Sequence, residues 1–131
     1  MEERDGTSGK INDYRDLNVW KDSMVLAADI YLATKAFPRE EMFGMTSQMR
    51  RAASSIPANI AEGFGRGQRK PFVQFLRIAQ GSLKELETHT LLAMSVGLLD
   101  EKSAGLLSVR FEKLGKMMRS FIRSLEVGAG K

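Results

Sequence analysis

The single histidine of this chain, His89, follows Glu85 by four residues, so the two side chains share one face of a helix. A carboxylate at that spacing can orient an imidazole for acid–base chemistry. A catalytic or metal site needs further ligands, and bundle proteins that hold two metal ions use two Glu-x-x-His pairs with extra carboxylates. This chain has one histidine at a different spacing and no cysteine. We therefore predict no catalytic residue, no metal site and no cofactor.

A glycine-rich segment at residues 63–68, Gly-Phe-Gly-Arg-Gly-Gln, has the composition of a nucleotide-binding loop. Glycine loops that bind phosphates follow a β-strand, whereas this segment follows a helical pattern. We interpret it as a turn between two helices. The sequence also lacks a Gly-x-Ser-x-Gly motif and paired catalytic carboxylates. It therefore predicts a protein that is not an enzyme and has no small-molecule substrate.

Two polar stripes follow helical spacing, one after residue 46 and one after residue 77. An ordinary surface helix exposes interchangeable Lys and Glu, whereas these stripes mix amide, hydroxyl and charged groups beside separate apolar faces. Arg51 and Glu85 are natural partners, either between neighbouring helices or across subunits. We predict that the stripes are buried at an interface; the alternative is that both face solvent. The predicted interface residues are Gln48, Arg51, Ser55, Asn59, Glu62, Ser82 and Glu85.

Basic side chains concentrate in the middle and at the end of the chain. Residues 45–80 carry six basic side chains and one acidic one, whereas residues 1–44 carry six basic and nine acidic ones. Phosphates need only positioned cations, so this distribution suits an RNA partner. The alternative is a plain solvated surface, because a net charge of +4 is also typical of solubility alone. The candidate RNA contacts are Arg66, Arg69, Lys70, Lys116, Arg119 and Arg123.

Helical periodicity accounts for nearly the whole chain, and no segment shows sustained strand-like alternation. Thr46 and Asp100 are the expected capping residues of the second and fourth helices, and Gly97 is expected to end the third. Short connections between helices predict an all-α, up-down-up-down antiparallel four-helix bundle. The predicted helices cover residues 17–36, 46–63, 71–96 and 101–126.

The length of 131 residues fits one domain. We predict a bundle domain over residues 14–126, a flexible leader over 1–13 and a frayed tail over 127–131. No apolar run approaches the ~20 residues that span a bilayer. The first residues also lack the apolar stretch of a signal peptide. The expected location is cytoplasmic, with no membrane partner.

The first helix carries two apolar seams, one with Trp20, Met24 and Tyr31 and the other with Leu26 and Ile30. Two seams on one helix require burial on two sides, which is more than one antiparallel neighbour provides. Seams left exposed would form sizeable sticky patches. We therefore predict a closed homo-oligomer.

Several ordered motifs resemble one known family. Residues 48–53 (Gln-Met-Arg-Arg-Ala-Ala) and 55–63 (Ser-Ile-Pro-Ala-Asn-Ile-Ala-Glu-Gly) are similar to the signature of four-helix-bundle proteins encoded in 23S rRNA intervening sequences of bacteria. Segments at 16–21, 37–44 and 75–86 fit the same family in order, so the resemblance covers about residues 14–125. It implies a ring of identical subunits, a homopentamer. The relatives include accessory proteins of diversity-generating retroelements, which partner a reverse transcriptase and its RNA.

Two functions follow as hypotheses. The first is a non-enzymatic, self-associating scaffold that binds structured RNA or a ribonucleoprotein. The alternative is a protein-interaction module, such as an accessory subunit of a reverse transcriptase, that does not bind RNA directly. RNA binding that weakens steeply with salt separates the two, since only phosphate contacts release counterions.

Overall fold

The computed structural model describes residues 11–129 and contains four α-helices and no strand within that range. Each helix packs against two neighbours, in the closed order α1–α2–α3–α4–α1, and the backbones of the two diagonal pairs do not approach within 8 Å between Cα atoms in the described residues. Successive helices run antiparallel. The prediction of an all-α fold with four helices is therefore confirmed. The helices are α1 (Asn18–Thr34), α2 (Met45–Gly65), α3 (Arg69–Ser95) and α4 (Glu101–Ala129).

Gly97 and Asp100 lie at the end of α3 and the start of α4 as predicted, whereas the prediction that Thr46 caps α2 is wrong. Gly97 follows α3 with a left-handed φ of 83°, a conformation that glycine adopts without steric cost. The Asp100 carboxylate accepts the Ser103 amide at 2.7 Å and caps α4. Thr46 lies buried inside α2 instead of capping it. The Met45 amide at the start of α2 donates instead to Oε1 of Glu41 at 3.1 Å.

The core consists of one apolar stripe from each helix. Helix α1 contributes a line that includes Ser23 and Thr34, and both hydroxyls are buried. The Ser23 hydroxyl donates to the Trp20 carbonyl and the Thr34 hydroxyl to the Ile30 carbonyl, each at 2.8 Å. Hydrogen bonds to the helix's own backbone allow these polar groups to be buried without a loss of bonding. The sequence pattern alone did not mark them as core positions.

Helices α2 and α3 pack the most closely of the neighbouring pairs, because α2 has a glycine where α3 has an aromatic ring. Gly63 is buried, and a methyl group built on it would lie 2.5 Å from Cβ of Phe75. Phe72 stacks edge-to-face on Phe64 at 5.8 Å between centroids and on Phe121 at 5.7 Å. These rings join α2, α3 and α4 at one end of the bundle.

Ion pairs join α1 to α4, the first and last helices of the chain. Arg110 lies 2.6 Å from Asp29, and Lys113 lies 3.4 Å from Asp22. Both carboxylates are at least half-buried, so the pairs are screened less than fully exposed ones. Because the higher α1 number pairs with the lower α4 number, the contacts fix an antiparallel register for these helices.

The described range covers the predicted bundle domain, 14–126, and helix α4 continues to Ala129. Most of the predicted leader, 1–13, and the end of the predicted tail, 127–131, lie outside the described residues. Within residues 11–129, no helix combines the length and apolar character that a membrane crossing requires.

Substitution of Gly63 tests the close approach of α2 and α3. We expect Gly63→Ala to lower the free energy of unfolding by about 1–3 kcal/mol, because the added methyl group must displace Phe75. The matched control is Gly65→Ala in the same helix, where a methyl group meets nothing within 4 Å. That change should leave the free energy of unfolding unchanged or raise it by up to about 1 kcal/mol in chemical denaturation, because alanine has less conformational freedom than glycine in the unfolded chain. Equal effects of the two substitutions would contradict the packing described.

Substitution of Asp100 tests the α4 cap and its pH dependence. The Ser103 amide lowers the pKa of Asp100 by hydrogen bonding to the ionised carboxylate. The folded-state pKa is therefore below the unfolded one, so the cap stabilises the fold above the ordinary aspartate pKa. That stabilisation disappears as the pH falls through the lowered value. We expect Asp100→Ala to lower the melting temperature at pH 7 more than Asp100→Asn, because asparagine keeps an acceptor oxygen. The difference in melting temperature between the wild type and Asp100→Ala should vanish in strong acid.

Candidate interaction surfaces

The predicted polar stripe of α2 faces solvent in the protomer. Gln48, Arg51 and Glu62 are exposed, whereas Ser55 and Asn59 are half-buried. The Ser55 hydroxyl donates to the Ala52 carbonyl at 2.9 Å and the Asn59 amide to the Ser55 carbonyl at 2.7 Å. These polar groups therefore bond to their own helix. Burial of the stripe within one chain is excluded, and burial between subunits stays a prediction.

Arg50 and Arg51, which are adjacent in sequence, have different environments. The Arg50 guanidinium donates to the Thr34 hydroxyl at 2.9 Å and lies 4.7 Å from the centroid of the Tyr31 ring. It thereby anchors the start of α2 to the end of α1. The Arg51 side chain has no hydrogen bond or ion pair within residues 11–129, and it does not pair with Glu85 inside the protomer. Pairing of Arg51 with Glu85 between neighbouring helices of one chain is therefore absent, and pairing across subunits stays a prediction.

The stripe of α3 lies beside that of α2 and is partly apolar. Ser82 is half-buried, Glu85 is exposed, and Ile78 is 51% exposed. His89 lies 3.5 Å from the Glu85 carboxylate, in the predicted i, i+4 arrangement. No group of three potential metal ligands is found in the described part of the chain. We call the two stripes together the α2–α3 outer face: Gln48, Arg51, Ser55, Asn59, Glu62, Ile78, Ser82, Glu85, His89, Leu92 and Val96.

A second unpartnered surface lies between α1 and α2, on the opposite side of α2. There, an apolar groove of about 500 Å³ is open to solvent. Small side chains of α2 form one wall, and aromatic and methionine side chains of α1 and the preceding turn form the other. This groove accounts for the second seam of the first helix. The α1–α2 groove is lined by Tyr14, Trp20, Met24, Ala27, Ala28, Tyr31, Ser54, Pro57, Ala58 and Ala61.

The three cations of the predicted turn cluster, Arg66, Arg69 and Lys70, have different environments in the structure. Arg66 pairs with Glu62 at 2.9 Å and lies 5.0 Å from the centroid of the Phe75 ring, so it belongs to the α2–α3 side. The Arg69 guanidinium lies against the last turn of α4, within 3.8 Å of where a Gly128 methyl group would be. A cation at that position interacts favourably with the helix dipole. Of the three, only Lys70 lies on the outer side of α3 that faces away from the core, together with the cations of α3 and α4.

Cations from α3 and α4 meet on the outer face of these two helices. Arg77 on α3 pairs with Glu126 on α4 at 2.6 Å, and Lys84 and Arg119 line one groove of about 440 Å³ between the helices. Because the helices are antiparallel, the start of α3 lies beside the end of α4. We call this surface the basic face: Lys70, Arg77, Lys84, Lys116, Arg119 and Arg123.

Three glutamates offset half of that charge. Glu126 pairs with Arg77, Glu87 lies 3.5 Å from Lys84, and Glu112 lies 4.0 Å from Lys116. In the described part of the chain, the remaining cations, Lys70, Arg119 and Arg123, have no acidic partner and are exposed. Half of the cations of the basic face therefore remain unneutralised in the described part of the chain.

Sequence reasoning missed Arg77 and Lys84, although a signal was present. Lys70, Arg77 and Lys84 are spaced by seven residues, which places them on one face of a helix with a drift of only about 20° per heptad. The same interval separates Lys116 and Arg123. The heptad spacing of cations predicts the two rows, whereas their proximity depends on the packing of α3 against α4.

Comparisons with known proteins agree with this architecture. The chain is similar to a crystal structure of a protein of unknown function from the S23 ribosomal protein family of Bacteroides thetaiotaomicron VPI-5482. The TM-score is 0.73 at 24% identity, over 80% of this chain and 95% of that one, which is a likeness of fold. No curated protein matches the chain. The family model of the 23S rRNA-intervening sequence protein matches residues 15–120, and the chain therefore belongs to that family.

Proposed function

We propose that the protein is a non-enzymatic, self-associating scaffold that binds structured RNA or a ribonucleoprotein through its basic face. The observation that carries the proposal is the separation of surfaces on the bundle. The basic face carries three exposed cations without an acidic partner in the described residues, whereas the apolar groove lies between α1 and α2 and the α2–α3 outer face lies on the other side of α2. One molecule can therefore bind copies of itself and RNA at the same time.

The two unpartnered surfaces support self-association through unlike faces. One is an apolar groove and the other is a mixed polar and apolar face. They lie on opposite sides of α2, so neither can cover the other within one chain. A contact between unlike surfaces repeats from copy to copy and either closes into a ring or continues as a filament. We propose a closed ring, for which the family resemblance implies five subunits. A ring also repeats the basic face once per subunit, so that many weak phosphate contacts act together.

Substitution of the adjacent residues Arg50 and Arg51 tests the stability of the fold and the assembly of subunits separately. We expect Arg50→Ala to lower the melting temperature of the protein, because it removes the anchor between α2 and α1. We expect Arg51→Ala to leave that of the isolated protomer unchanged and to reduce the oligomer mass in light scattering, because its partner lies in another subunit. The reference is the protomer mass of 14.6 kDa. A wild type that stays at this mass at micromolar concentration would contradict self-association.

Charge removal on the basic face tests RNA binding. We expect simultaneous substitution of Lys70, Arg119 and Arg123 by Ser to weaken binding of structured RNA. Each lost phosphate contact removes about 0.7–0.9 from the slope of log affinity against log salt concentration, so the slope should flatten by about two units or more. Gel-shift titrations across salt concentrations measure this slope, with helix content and oligomer mass as checks on the fold.

A matched control removes the same charge elsewhere. Lys21, Lys35 and Lys102 are exposed on α1, just after its end and near the start of α4, away from the basic face. Their replacement by Ser should leave RNA affinity and the salt slope close to the wild type. If both triple variants lose affinity equally, only net charge matters. If neither changes the affinity, the alternative function of a protein-interaction module, such as a reverse-transcriptase accessory subunit, is favoured.

A further inference from the structure

Phe43 is an aromatic side chain that the protomer leaves almost fully in solvent. It is 96% exposed, and its neighbour Met42 is 48% exposed. Large apolar side chains at this exposure mark binding sites when they are grouped and held in place. The pair lies in the connection between α1 and α2, after a 3-10 helical turn at Arg39–Glu41.

Hydrogen bonds on both sides fix the backbone that carries Phe43. The Gly44 amide donates to the Glu41 carbonyl at 3.0 Å, and the Met45 amide donates to the Glu41 carboxylate at 3.1 Å. The Gln48 amide donates to the Gly44 carbonyl at 3.0 Å, so Gly44 is tied directly to α2. Phe43 is therefore presented outward by an ordered turn, which lowers the entropy cost of its insertion into a partner.

The α1–α2 groove of a second copy fits this side chain. Its volume of about 500 Å³ exceeds what one aromatic ring needs, and it is open along one side. The wall of α2 is shallow because Ala58 and Ala61 have only methyl groups there. The opposite wall offers the rings of Trp20 and Tyr31, which suit edge-to-face contacts with an incoming phenyl ring.

Charge also favours this occupant. The exposed Glu40 stands two residues from Met42 on the same turn. The Arg50 guanidinium lies over the Tyr31 ring that lines the groove. The Arg50 guanidinium has no acidic partner in the described residues, so Glu40 of the inserted turn can form an ion pair with Arg50 of the second copy.

We propose that Phe43 of one protomer inserts into the α1–α2 groove of a second copy and is the central apolar contact between subunits. This inference rests on the proposed self-association and names the contact that produces it. Each protomer supplies a side chain to one neighbour and a groove to another, so the contact joins unlike surfaces.

Paired variants test both halves of the contact. Phe43→Ser removes the inserted side chain, and Ala58→Trp fills the groove from an exposed helical position. We expect each to weaken subunit association at least about tenfold, as a loss of a central aromatic contact does. The circular dichroism of the protomer should be unchanged because both positions are exposed. The matched control, Leu106→Ser on α4, removes a 64% exposed side chain outside the groove and should keep the wild-type mass.

Mixing the two variants gives the sharpest result. The Phe43→Ser protein keeps an intact groove and the Ala58→Trp protein keeps an intact Phe43, so one productive contact can form between them. We expect a 1:1 complex from the mixture, whereas each variant alone stays near the protomer mass of 14.6 kDa. Trp20 is the single tryptophan and lines the groove, so its emission in Phe43→Ser should become more accessible to acrylamide than in the wild type.

The outcomes separate this inference from the proposed function. An oligomeric wild type whose mass survives both Phe43→Ser and Ala58→Trp overturns the insertion and leaves self-association in place. Variants that dissociate singly but form no complex when mixed also overturn it. A wild type at the protomer mass overturns self-association itself.

Discussion

The close approach of α2 and α3 at Gly63 is the constraint on which the rest of the bundle depends. The backbone of α2 can touch Phe75 there only because residue 63 has no side chain. That contact brings Phe72 between Phe64 and Phe121, and so ties three helices together. With α2 and α3 this close, polar side chains at the edges of their contact have no space inside and point outward. The α2–α3 outer face is a consequence of that tight pairing.

Helix α2 is used on three sides, and each side has a different composition. Its buried side carries Met49, Ile56 and Ile60. Toward α1 it offers only small side chains, so the larger residues of α1 remain partly uncovered and a groove forms. Toward α3 it carries polar groups that bond to their own helix. A helix built in this way holds the bundle together and still leaves two surfaces for partners.

Charge pairing explains where positive potential remains. Asp22 and Asp29 of α1 neutralise Lys113 and Arg110, which stabilises the contact between the first and last helices. These two aspartates lie on α1, which does not pack against α3. On the basic face, glutamates pair with three of the six cations, and Lys70, Arg119 and Arg123 remain unpaired in the described residues. Phosphate recognition needs little more than such unpaired cations on an accessible face.

The candidate surfaces were only partly predictable. Helical spacing correctly placed Arg51, Ser55 and Asn59 on one stripe, because the angle around a helix follows from residue number alone. It could not separate the roles of Arg50 and Arg51, because that difference depends on Thr34 and Tyr31 of another helix. The α1–α2 groove could not be predicted from the sequence either, because one wall comes from α1 and the other from α2 and the groove forms only when these helices pack.

By itself, the sequence determined that the chain forms four helices, which apolar stripes enter the core and which family the motifs resemble. These properties are local, because periodicity, glycine and proline act within a few residues. Only the tertiary structure decided that Lys70, Arg77 and Lys84 lie beside Lys116, Arg119 and Arg123, and that the stripes face solvent. The reason is that periodicity fixes directions around each helix axis, whereas the neighbour that lies in each direction is set by packing between residues distant in sequence.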